Sequence, residues 1–108
     1  MVKNYLLSIP MMTIDSATLT GAFDLIGVLP EPCSILRIVN GSKVPIIISY
    51  DGVNAHDFVF ADGGNIDLNI QANSSIQNKK SMFRKGTSIY AKGAASIGLI
   101  YVAGYYNI

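Results

Sequence analysis

Short apolar runs rich in Ile, Val, Tyr and Phe recur along the chain between clusters of Gly, Asn, Asp and Pro, and the spacing of an amphipathic helix is scarce. The pattern predicts strands. The first falls at Tyr5–Met12 and carries Pro10. Proline has no N–H to give to a ladder, so this strand belongs at a sheet edge or contains a bulge. The second, Leu19–Val28, stops at Leu29-Pro30-Glu31-Pro32, where two prolines fix a corner. Ile35–Val39 and Pro45–Tyr50 flank Asn40-Gly41-Ser42-Lys43, the local signature of a tight hairpin. Phe58–Ala61 and Ile66–Ile70 form a second expected pair across Asp62-Gly63-Gly64-Asn65. Ile66, Leu68 and Ile70 alternate with Asp67, Asn69 and Gln71, which predicts one face in the core and one in water. Ile46, Ile47 and Ile48 are consecutive, as expected where one face meets the core and the other a covering loop or a subunit. The polar segment 72–81 reads as an exposed loop or one helical turn, and Ser88–Lys92 and Ile97–Tyr105 bring the count to about eight strands. Turns recur every 8 to 12 residues or so, leaving no room for crossover helices. The predicted fold is all-β: a single antiparallel β-sandwich domain over residues 1–108, jelly-roll-like.

Half of the residues are hydrophobic and 14% are charged, against about 25% charged in an ordinary soluble domain. A surface so short of charge predicts that part of it is covered by neighbouring subunits. The net charge of +1 argues against a binder of nucleic acid through a basic stripe. Cys33 is the lone cysteine, so no intrachain disulfide, thiolate cluster or paired redox motif can form, and it reads as a small buried hydrophobe. Met1–Pro10 lacks the pattern of a secretory signal. The most apolar stretch, Ala94–Tyr106, is broken by Gly98 and Gly104 and is shorter than the ~20 residues of a spanning helix, so no membrane contact is expected.

Candidate chemistry is thin. His56 is the single histidine and sits in Asp51-Gly52-Val53-Asn54-Ala55-His56-Asp57, which reads as a turn held by local side-chain bonds, with no partner spacing for a triad. Asp62, Asn65 and Asp67 offer hard oxygen ligands but not the spacing of a calcium loop. No enzyme, cofactor or metal is expected. Asp51, Asp57, Asp62 and Asp67 follow one another without a Lys or Arg between them, and Lys79, Lys80, Arg84, Lys85 and Lys92 follow without an acid. These are either two solvated faces or complementary subunit contacts. Tyr90, Tyr101, Tyr105 and Tyr106 gather near the end, after Phe83. Tyr105 and Tyr106 are adjacent and fall on opposite faces of a strand, so one is left for a contact surface. The candidate interface residues are Asp51, Asp57, Phe83, Arg84, Lys85, Tyr101, Tyr105 and Tyr106.

From Ile35 onward, the runs Ile48-Ser49-Tyr50-Asp51-Gly52, His56-Asp57-Phe58, Phe83-Arg84-Lys85-Gly86-Thr87, Tyr90-Ala91-Lys92-Gly93 and Tyr101-Val102-Ala103-Gly104-Tyr105-Tyr106 resemble small β-sandwich virion structural proteins of tailed bacteriophages. The resemblance implies a capsid decoration, head-fibre or tail-accessory protein. Such a protein is made in the bacterial host cytoplasm, repeated on the virion, often trimeric, and packed against copies of itself and other virion proteins without a cofactor. No fibre repeat or extended arm is visible. A second reading is a lectin-like carbohydrate-binding module for host-surface recognition, working through Tyr and Phe because Trp is absent.

Overall fold

A computed structural model of the chain describes residues 6–69 and 83–107. Among these described residues nine strands form: β1 (Leu6–Ser8), β2 (Met12–Asp15), β3 (Asp24–Val28), β4 (Ile35–Asn40), β5 (Ile46–Ser49), β6 (Asp57–Val59), β7 (Gly64–Asn69), β8 (Ser88–Lys92) and β9 (Leu99–Asn107). The first sheet has the order β1-β9-β4-β7, with β2 also on β9, and the second has β3-β8-β5-β6. The antiparallel pairing is concentric: β5 with β6, β4 with β7, β3 with β8, and β2 with β9. One long hairpin has been folded over on itself, and the pairs β4·β9 and β5·β8 join its arms into two sheets. This is jelly-roll topology, and the predicted fold class holds.

The strand count exceeds expectation because Pro10 splits the first predicted strand. β1 and β2 lie on either side of Ile9-Pro10-Met11, and both pair with β9. The second predicted strand is shorter than expected. Ser16–Thr18 forms a single 3-10 turn capped by the Asp15 carboxylate, and β3 carries a bulge between Leu25 and Gly27.

Neither predicted hairpin forms. The turn after Asn40 carries the chain from the first sheet to the second, and Ala61–Gly63 carries it back. Gly41 is not among the residues with positive φ, so it serves close approach rather than a tight reversal. Its N–H donates to the Leu99 carbonyl at 2.9 Å, and a Cβ there would stand 2.7 Å from that oxygen. The N–H groups of Asp62 and Gly63 donate to the carbonyls of Ser42 and Asn40, each at 2.8 Å, binding one crossover to the other. Ile70, Gln71 and the expected loop or helical turn at 72–81 lie outside the described residues.

Between the sheets, Leu36, Ile38, Ile100 and Val102 of the first meet Ile46, Ile48, Val59 and Ile89 of the second, all buried. Each such side chain is worth about 1.5–3 kcal/mol of burial. Ile66 and Leu68 pack against this cluster while Asp67 is exposed, as their alternation predicted. Gly104 lets β9 approach closely: a Cβ would stand 2.9 Å from Ile9 and 3.1 Å from Leu36.

Candidate interaction surface

The outward residues of the first sheet form a mixed face. Register places Tyr101 beside Val39 and Thr13, Ala103 beside Arg37, and Tyr105 beside Ile35. Arg37 Nε donates to Asp67 Oδ1 at 2.8 Å across the β4–β7 ladder. The Asp67 hydrogen bond and charge raise the guanidinium above its ordinary value. The pair is exposed and screened, so it orders the face more than it stabilises the fold.

The second sheet presents an apolar face. Leu25 pairs with Tyr90, Val28 with Ser88, and Ile47 with both Lys92 and Phe58. Leu25 is 50% exposed, Val28 46% and Phe58 49%. Phe60 follows beyond β6, its ring edge-on to Phe58 at 5.1 Å. Lys92 lies 5.4 Å over the Phe23 ring, adding one charge to the face. Ile47, Ala55, His56, Asp57 and Phe58 line a shallow, open depression of about 270 Å³. The expectation of two apolar faces on β5 is met: Ile46 and Ile48 enter the core, and Ile47 lies outward beside this depression.

The loop from Tyr50 to His56 folds over part of that face, with Gly52 against the Tyr90 ring. Asp51 organises it: its carboxylate accepts from the N–H groups of Val53 and Asn54 at 2.8 Å each, from Asn54 Nδ2 at 2.8 Å and from Ser49 Oγ at 2.9 Å. The donors of Asn54, then of Val53, hold this carboxyl well below the ordinary range. Tyr50 donates its hydroxyl to Asp57 at 2.7 Å, and its ring lies between His56 at 5.4 Å and Phe83 at 5.2 Å. Burial, then the Asp57 hydrogen bond, raises the phenol far above its usual value. His56 Nδ1 accepts from the Tyr50 N–H at 3.1 Å, so the histidine is a loop brace.

The predicted interface residues thus separate. Tyr101 and Tyr105 line the outer face of the first sheet, while Tyr106 packs against the core. Phe83 is drawn inward, bridging Cys33 with its ring tilted against that of Tyr50, and Arg84 and Lys85 follow on an exposed turn. The acidic run does not form one patch. Asp51 serves its own loop, Asp57 takes the Tyr50 hydroxyl, Asp62 lies 3.4 Å from Lys43, and Asp67 pairs with Arg37. Lys79 and Lys80 lie outside the described residues. The residues missed by sequence reasoning are Leu25, Val28, Phe58 and Phe60. Phe58 had a signal, since Phe58 and Phe60 share one strand parity and Val59 takes the other, which leaves apolar side chains on both faces. For Leu25 and Val28 the bulge hides the period.

Among the described residues no group of three or more His, Cys, Asp or Glu side chains could hold a metal ion. Cys33 is buried, and burial, then the charge of Glu31, raises its thiol above the ordinary value, away from the reactive thiolate.

No family model matches the chain, and no curated protein matches it. Among solved structures it is similar to one from Bacillus endospore appendages, described as a novel family of disulfide-linked pili. The identity is 15%, the TM-score is 0.50, and the match covers 99% of this chain and 92% of that one. At that identity the likeness is one of fold. It nevertheless overturns the resemblance to virion proteins of tailed bacteriophages, and with it the virion location and the capsid or tail role, because the matching architecture comes from a spore appendage. The runs that carried the phage resemblance are pieces of β5, β6, β8 and β9 with their adjoining turns, structural segments that mark the sandwich and not its source.

Proposed function

We propose that this chain is a non-enzymatic structural subunit that associates with copies of itself into an open-ended polymer. The carrying observation is the outer face of the second sheet, where Leu25, Val28 and Phe58 stand about half exposed and Phe60 is 73% exposed. Apolar side chains gathered on one sheet face favour a protein partner over water. The two outer faces are unlike, one apolar and one built of Tyr101, Tyr105 and the Arg37–Asp67 pair. Contact between unlike faces of identical copies repeats head to tail and does not close on itself unless the rotation happens to form a ring. Tyr101 and Tyr105 supply the amphipathic rings suited to such a contact, with Arg84 and Lys85 steering its approach. The fold neighbour supports this reading, since a sandwich of the same architecture serves in appendages described as pili. The disulfide linkage of those pili has no counterpart in a lone, fully buried Cys33, so the contact proposed here is noncovalent.

Light scattering of the purified chain over a concentration series tests the proposal. Mass that grows with concentration, with filaments or rods under the electron microscope, is the expected result. Phe58→Asp shifts the population toward monomer by roughly tenfold or more in apparent association constant, as for loss of an interface anchor. A wild-type chain that stays monomeric at every concentration overturns it.

A further inference from the structure

Asn40-Gly41 is the one Asn-Gly pair in the chain, and it stands where the first sheet hands over to the second. We infer that it is a site of spontaneous deamidation which the folded sandwich holds closed, and that conversion bars the chain from closing again. In the reaction the Gly41 backbone nitrogen attacks the Asn40 side-chain carbonyl carbon and ammonia leaves. Water then opens the resulting succinimide to aspartate or isoaspartate. A carbon–nitrogen bond forms as another breaks, one water is consumed, and nothing is oxidised or reduced. Glycine as the following residue offers no side chain to hinder the attack.

Every reacting group is restrained. The Gly41 N–H donates to Leu99 O at 2.9 Å. Asn40 is fully buried. Its Nδ2 donates to the carbonyls of Val44 at 2.8 Å and Val59 at 3.4 Å. Its Oδ1 accepts from Ser42 Oγ at 2.6 Å and from the Ser42 N–H at 3.0 Å. Asn40 is also the last residue of β4, and the extended backbone of a strand holds the next nitrogen far from the angle that closes the five-membered ring. Opening this end removes all of these restraints together.

Conversion is irreversible in its effect. An acid at this position loses the donor that serves Val44 and Val59 and sets a buried carboxyl against two carbonyls. Isoaspartate also lengthens the main chain at the point where β4 pairs with both β7 and β9.

The test is peptide mapping by mass spectrometry after incubation at mildly alkaline pH, with and without denaturant. The denatured chain gains the mass of an amide-to-acid change at Asn40, and the native chain does so at least roughly a hundredfold more slowly, in proportion to its open fraction. Ser42→Ala, which removes one restraint, raises the native rate roughly fivefold, the factor one hydrogen bond gives to an opening equilibrium. Denatured samples returned to native buffer show converted chains only in the unfolded fraction. Equal rates with and without denaturant, no effect of Ser42→Ala, or converted chains in the folded fraction would each overturn the inference.

Discussion

Where β4 passes into β5, one end of the sandwich is tied by the amide of Asn40, which is out of water and bonded to Ser42, Val44 and Val59. At the opposite end, between β5 and β6, the loop is tied by Asp51, Tyr50 and His56, which lie partly or fully in solvent. The hydrogen bonds are of similar length and their consequences differ. A buried bond that is broken leaves polar groups with no water to turn to, whereas an exposed one is replaced by solvent. The first end also links both sheets, while the second organises one loop over one face.

The contrast can be broken by substitution. Asn40→Ala is expected to lower the unfolding free energy by about 3 kcal/mol or more, read by chemical denaturation. Gly98→Ala comes next, at about 2 kcal/mol, because Gly98 has φ 114 and a Cβ there would collide with the Gly41 carbonyl. At the other end, Tyr50→Phe is expected to lower stability by about 1 kcal/mol at neutral pH, through loss of the bond to Asp57. If its loss equals that of Asn40→Ala, the contrast between the ends fails.

pH sharpens the comparison. The Tyr50 phenol is raised in the folded state, by burial first and the Asp57 bond second. Its contribution is complete below the ordinary phenol value of about 10 and declines as pH rises above it, because only the unfolded chain then ionises. Tyr50→Phe should flatten that alkaline decline in a series of denaturation curves. The Asp51 carboxyl is lowered, chiefly by the N–H groups of Asn54 and Val53. Its contribution is present above the ordinary carboxylate value and fades as pH falls toward the folded one. The smallest effect is therefore expected for Asp51→Asn: faster exchange of the Val53 and Asn54 amides at neutral pH, with global stability almost unchanged. A large drop in global stability would show that this loop is no satellite.

Much of the fold was legible because the signals were local. The alternation of Ile66, Asp67 and Leu68, the break at Pro10 and the corner at Pro30 and Pro32 each concern a few neighbouring residues. The two expected hairpins failed because a turn sequence records that the chain reverses, not which sheet receives it. Asn40-Gly41 acts through Leu99, and Gly63 through Asn40, contacts invisible in a window of ten residues. The surface was less legible still. Tyr105 and Tyr106 were separated by strand parity alone, while Leu25 and Val28 were hidden by a bulge, and the acidic run was dispersed by partners distant in sequence, such as Arg37 for Asp67.

The concentric ladder also sets Leu6 directly opposite Asn107. A short covalent bridge between those positions, with a new opening cut among residues 51–55, would yield a circularly permuted polypeptide. β5 and β6 would become its outermost elements and every strand would keep its partner, so the order of synthesis could be turned inside out without redrawing the architecture.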